Sequence, residues 1–229
     1  MLYSSYHQMK NILILSFILI VIGCTKNDAP QQIDLGYNYF PTQLGATWIY
    51  HVDSIVYDDN SGFTTIDTFT YQYKEQITGN FKDVSGVEGQ FVSRYFREND
   101  TAGWVQANTA TILLTSLNAQ KVVENVRYVK LLFPTAKNKR WDGNAYNSFG
   151  EEEYILSQFD IATTVGNTTF EKTLKVLQRD EKNAIEEIKK NEIYARNIGL
   201  VYLLSDSINT QVGGAKGYRY RLTLQTFIP

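Results

Sequence analysis

The side chains able to do proton-transfer or nucleophilic chemistry are few, and their spacing decides what they are worth. The 229 residues hold two histidines, His7 and His51. His51 and Asp53 are two apart, so on an extended strand they share a face, which invites a Ser-His-Asp reading. No G-x-S-x-G nucleophile elbow accompanies them, and both fall on the polar side of their segment. The solvated face of an edge or outer strand accounts for the same two residues. So low a histidine count excludes a histidine-cluster metal site, and zinc would need unusual ligands. Neither a Walker A pattern nor G-x-G-x-x-G is present. Asp58-Asp59-Asn60 with Gly62 has the residue types of a calcium loop but not its spacing or closing glutamate, and a turn explains it. No cofactor and no metal is called for. Paired carboxylates alone can hydrolyse glycosides, but which acidic residues meet in space is not legible at this level. Lys139, Arg140 and Trp141, with Lys137 just before them, form the one basic cluster beside an aromatic. They fit a contact to an anion, a glycan or a lipid headgroup; the competing reading is a solvated loop with Trp141 tucked into the core.

The single cysteine, Cys24, closes a distinct N-terminal pattern of Lys10, an apolar run over 12–22 broken only by Ser16, and Gly23. A bilayer span needs about 20 apolar residues; this shorter run has the dimensions of a secretory h-region. Val21-Ile22-Gly23-Cys24 resembles a bacterial lipobox, where the chain is cut before the cysteine and the thiol carries lipid. The alternatives are a small buried core cysteine and an uncleaved anchor. On the lipobox reading residues 1–23 are a signal peptide, whose start could equally be Met9. Residues 24–37 are then the lipidated N-terminus and a polar tether, and 38–229 the folded domain. Several acyl chains hold stably at ~0.8 kcal/mol per buried CH2 where one is marginal, so the lipid on Cys24 is a sufficient membrane attachment. Lys26 is not the aspartate of inner-membrane retention in enterobacteria, and Asn27-Asp28 is weakly similar to surface-export signals. The expected address is the outer membrane, with the periplasmic or surface face left open.

With 22 Lys+Arg against 24 Asp+Glu the formal net charge is −2, and loss of the segment bearing Lys10 makes it −3. That mildly acidic balance argues against a nucleic-acid partner. One cysteine permits no intrachain disulfide, so stability must come from packing. Tyr (16), Phe (12) and Trp (3) far outnumber Pro (4) and Met (2), which favours half-buried strands. In segment 46–57, Trp48, Tyr50, Val52 and Val56 share one face; in 63–76, Phe69, Tyr71 and Tyr73 alternate with Thr and Gln. The two predict a hairpin with one wet side. Further strands are predicted over 90–98, 104–116, 121–133, 152–161, 168–179, 192–196, 200–207 and 218–228, with irregular chain over 79–89 and 135–150. Residues 180–191, capped by Asp180 and ending on Lys189-Lys190, read as the one credible helix, with strand as the alternative because the apolar stripe of Ala184, Ile185 and Ile188 is thin. The expectation is a mainly β chain: a single antiparallel domain, a curved sheet or open barrel of nine or ten strands, with at most one helix.

Three stretches carry a resemblance: Tyr39-Phe40-Pro41 with Leu44-Gly45, Trp48-Ile49-Tyr50 and Asp53-Ser54-Ile55-Val56-Tyr57; Lys130-Leu131-Leu132-Phe133-Pro134 with Trp141 and Gly143-Asn144; and Glu192-Ile193-Tyr194-Ala195 with Gly199-Leu200-Val201-Tyr202. Together they resemble a group of uncharacterised outer-membrane lipoproteins of Bacteroidota. The resemblance implies an N-terminal lipid and an outer-membrane address, and it brings no activity and no catalytic residue. Asp53-Ser54-Ile55, Asp100-Thr101-Ala102 and Asp206-Ser207-Ile208 match the O-glycosylation pattern of that phylum. This makes Ser54, Thr101 and Ser207 candidate acceptors, with Thr101 favoured because its hairpin loop should be exposed. The functional expectation is a non-enzymatic envelope lipoprotein acting as a binding or structural module on an envelope protein, glycan or lipid. An alternative is a carrier of an apolar ligand in an open barrel similar to LolA and LolB.

Overall fold

The computed structural model describes residues 33–59, 63–84 and 86–229, and Asp34–Pro229 form one compact unit. The expected signal peptide, Cys24, most of the tether and part of the 58–62 turn lie outside the described residues. The first element is a single 3-10 turn, Tyr37–Tyr39. Twelve strands follow: β1 (Thr47–Asp58), β2 (Thr65–Lys82), β3 (Glu88–Arg97), β4 (Val105–Leu114), β5 (Asn118–Val123) and β6 (Val126–Leu132), then β7 (Arg140–Asp142), β8 (Glu153–Val165), β9 (Thr168–Lys182), β10 (Glu186–Ala195), β11 (Gly199–Gln211) and β12 (Gly214–Ile228). All are antiparallel in one sheet of order β6-β5-β4-β3-β2-β1-β12-β11-β10-β9-β8-β7. The chain thus makes two meanders joined back to back through β1 and β12. β6 and β7, consecutive in sequence, end up on opposite edges.

Curvature brings those edges together, so the sheet is nearly closed into a barrel. Three hydrogen bonds span the seam. The Val129 backbone amide donates to the Gly143 carbonyl at 2.9 Å, the Trp141 indole N–H to the Val129 carbonyl at 3.0 Å, and the Asn147 side-chain Nδ2 to the Arg127 carbonyl at 2.9 Å. Each edge would otherwise expose a row of unpaired backbone groups.

The period-2 pattern read from the sequence sets which face is inside. Tyr50 and Val52 of β1 stand opposite Tyr73 and Tyr71 of β2 and Leu224 and Leu222 of β12. Tyr50, Val52 and Leu222 are buried, and each large apolar side chain removed from water contributes ~1.5–3 kcal/mol. His51 and Asp53 face outward, as alternation requires. One end of the barrel is plugged by residues 36–41. Gly36 (φ 84) turns the chain there, against Thr135, so closely that a Cβ would lie 2.0 Å from the threonine hydroxyl oxygen. Tyr37 stacks edge-on against Phe133 at 4.6 Å between centroids. The Tyr39 hydroxyl donates to Asp160 at 2.8 Å, which Arg196 also reaches at 3.2 Å. Toward the other end Val56, Phe69 and Phe96 are exposed, although register puts them on the inner face; the barrel opens there.

One expectation is corrected and one open reading is decided. The count is twelve strands, not nine or ten, because 121–133 is two strands broken at Glu124-Asn125, both with positive φ, and because β7 lies inside the stretch read as irregular. Of the two readings of 180–191, helix and strand, the structure takes the second: the end of β9, a turn and the start of β10. Asn183 accepts the amides of Ile185 and Glu186 at 2.9 Å each, fixing a tight turn where a thin Ile185/Ile188 stripe had too little apolar surface to dock a helix.

Candidate functional site

The interior is not a uniformly apolar core. Five of the residues that line a cavity of about 310 Å³ carry charge: Glu75 on β2, Arg94 on β3, Lys121 on β5, Lys130 on β6 and Glu192 on β10. Register explains the placement: Glu75 lies opposite Trp48 on one side and Arg94 on the other, in phase with Tyr73 and Ile77. The Lys121 ammonium donates to both Glu75 oxygens at 2.7 Å, the Tyr73 hydroxyl donates to Oε1 at 2.7 Å, and Arg94 Nε stands 3.5 Å away. Arg94 also donates to the Tyr73 oxygen through Nε and to Asn108 through Nη1 at 3.1 Å. In a second cluster Lys130 donates to Glu192 Oε1, and the Tyr194 hydroxyl donates to Oε2 at 2.6 Å.

Burial alone would push the Glu75 carboxyl up. Lys121 first, then Arg94 and the Tyr73 hydroxyl, overcome that and hold it below the ordinary carboxylate range. The interior tyrosines Tyr50, Tyr73 and Tyr194 are pushed up by burial first and by their carboxylate neighbours second. Buried ion pairs are expensive, at several kcal/mol of desolvation per ion. Packing gives no reason for five charged side chains around a cavity.

The cavity continues toward the open end into a wider vestibule of about 760 Å³. Six residues line both spaces and form the throat: Arg94, Val123, Tyr128, Lys130, Leu203 and Tyr220. Phe40, Pro41 and Trp48 border the cavity at the plugged end. Gly199 (φ 91) is also there, where a Cβ would come within 3.1 Å of Pro41.

The residues singled out from the sequence fall elsewhere. Trp141 is buried at the seam; Arg140 pairs on the surface with Glu153, and the Lys139 ammonium donates to the Pro134 carbonyl at 2.9 Å. The three are not gathered around one space. Ser54 lines the vestibule on β1, and Ser207 shares the inner face on β11, both half-buried. Thr101 is exposed in the β3–β4 turn. His51 Nε2 lies 3.2 Å from Asp53 on the outer face, but the nearby Thr70 hydroxyl donates to Asp53 rather than to the histidine, so no nucleophile is activated. Among the described residues no His/Cys/Asp/Glu cluster could hold a metal ion. The five charged residues that do converge were legible in part, since Glu75, Arg94 and Lys121 each interrupt the apolar phase of their own strand.

Fold and site together define an antiparallel β-barrel, plugged at one end, with an ionised and aromatic interior. No protein-family model and no curated protein matches the chain. Two solved structures are similar over 83% of this chain and 98% of their own. One is a candidate exported protein with a YmcC-like fold from Bacteroides fragilis, 13% identical with a TM-score of 0.44. The other is a candidate lipoprotein from Parabacteroides distasonis, 11% identical with a TM-score of 0.35. Likenesses so remote carry neither ligand nor activity to this chain.

Proposed function

We propose that this chain is a non-catalytic cell-envelope lipoprotein, attached to the outer membrane through lipid on Cys24, whose barrel takes up a small amphipathic molecule. The N-terminal pattern ending at Cys24 supports the address. The cavity carries the rest: about 310 Å³, at the lower end of the ~300–1,000 Å³ usual for small-molecule sites, lined by aromatics and a few converging charges. A carrier of purely apolar cargo similar to LolA and LolB fits less well, because ionised side chains ring the space. Glycoside hydrolysis also fits less well. Its acid must be protonated near neutrality, whereas Lys121 and Arg94 keep Glu75 ionised.

Native mass spectrometry of the full chain carrying Cys24→Ala, followed by solvent extraction, tests this reading. The expected result is a near-stoichiometric, extractable adduct. A clean apo mass, with no rise in unfolding temperature across a panel of amphiphiles, overturns it.

A further inference from the structure

We propose that the ligand is a singly charged anion with an apolar body, its charge held in the throat between Arg94 and Lys130 and its body in the inner cavity. This rests on the barrel being a binding site. Three cations and two carboxylates line the inner cavity. Lys121 occupies both oxygens of Glu75, and Lys130 with Tyr194 occupies Glu192. Arg94 is the cation in excess: the carboxylate it pairs with is Glu75, 3.5 Å from its Nε and already held by Lys121. Its Nε hydrogen goes to Tyr73 and its Nη1 to Asn108, which leaves Nη2 without an acceptor among the described residues. Guanidinium stays charged at any physiological pH, so one positive charge is left over in a partly desolvated place, the Arg94 side chain being 21% exposed, where a bound anion would offset it.

The throat sharpens the assignment. Of the six residues shared by cavity and vestibule, two are cations, none is a carboxylate, and Val123, Tyr128, Leu203 and Tyr220 frame them with apolar and aromatic surface. Farther in, Phe40, Trp48, Leu200 and Leu222 offer the apolar depth. The three cations exceed the two carboxylates by one, so one ligand charge is the number that fits.

Calorimetric titration of the full chain with decanoate, decanol, decylamine, dihexanoyl phosphatidylglycerol and inorganic phosphate tests the assignment. At least one of the two amphiphilic anions, fatty acid or phosphodiester, should bind once per chain and at least about ten-fold tighter than decanol. The tighter of the two shows whether the source is a free acid or a lipid headgroup. Decylamine should bind more weakly than decanol, and phosphate alone should give no measurable heat. Arg94→Gln should cost the anion roughly ten- to a hundred-fold, the worth of a charge-assisted hydrogen bond, while decanol affinity stays and Lys137→Ala, at an exposed loop position, changes nothing. Arg94→Lys, which keeps the charge and loses the fork, should retain the preference for anions at reduced affinity and serves if the glutamine variant fails to fold. Equal binding of decanol and both anions overturns this inference and leaves the binding site standing. No binding by any amphiphile removes the site as well.

Discussion

Lys130 and Glu192 are both nearly buried, with side-chain exposures of 14% and 3%, and each is the other's ion-pair partner. Removing one strands its partner, and breaking a buried pair costs about 3–5 kcal/mol where replacing both is far milder. Lys130→Met should therefore lower the unfolding free energy by that amount, read as a lower urea midpoint at an unchanged m-value, and Lys130→Met/Glu192→Gln should recover most of it. Such residues could be found in the sequence by phase. Arg94 sits between Val92 and Phe96, Glu75 between Tyr73 and Ile77, and Lys121 between Ala119 and Val123, each a charge on the apolar beat of its strand. What the pattern could not show is that strands so far apart would bring them to one space. The basic cluster at 137–141 drew attention because its members are adjacent in sequence, yet alternation sends Arg140 and Trp141 to opposite faces. Exposure likewise separates the three glycosylation candidates: glycopeptide mapping should find any O-glycan at Thr101, and none at Ser54 or Ser207, which face the interior.

At the scale of elements the seam is the weakest joint, because the three-residue β7 meets β6 through a handful of bonds. Gly143 sits there under the Tyr154 ring, and a Cβ would lie 2.2 Å from the ring carbon Cζ. Gly143→Ala must shift a packed aromatic, at a cost of about 1–3 kcal/mol. It should also speed hydrogen exchange at the Val129 amide, which donates to the Gly143 carbonyl, more than at central β1 amides. Unchanged exchange at Val129 would mean the seam is held by something else. The β9–β10 turn is a comparable test, since Asn183→Ala removes the acceptor of two backbone amides and should cost about 1–2 kcal/mol in thermal unfolding. These same places were the ones least visible in the sequence. A helical reading of 180–191 weighed capping residues and charge order, while the side chain of one asparagine and the pairing partners on both sides decided for strand. The break at Glu124-Asn125 carries no glycine or proline to mark it, and β7 is too short to show a period.

For the whole molecule, alternation in the long strands was enough to predict one antiparallel sheet with an apolar face, but closure depends on curvature and on the few contacts at 127–147, which no period encodes. Closure also gives the barrel a pH response that an open sheet with the same residues would lack. Inside, Tyr50, Tyr73, Tyr154, Tyr194 and Tyr220 are all pushed up, chiefly by burial, and at the plug burial and the bond to Asp160 push Tyr39 up to about 12. An unfolded chain releases these protons near pH ~10 and the folded one holds them, so above that pH the folded state binds more protons and loses stability as pH rises. Glu75 runs the other way. Its carboxyl is depressed from the ordinary 4.5, so the stability it contributes is complete above that value and disappears as pH falls through the depressed one. The plateau between the limbs should span neutrality. In an alkaline titration followed by tyrosinate absorbance and by circular dichroism, surface tyrosines should ionise first without loss of structure. The interior ones should then ionise together with the collapse of the β signal. A single smooth titration with the β signal intact would mean that water reaches the interior tyrosines, and the desolvation on which the throat assignment depends would be absent.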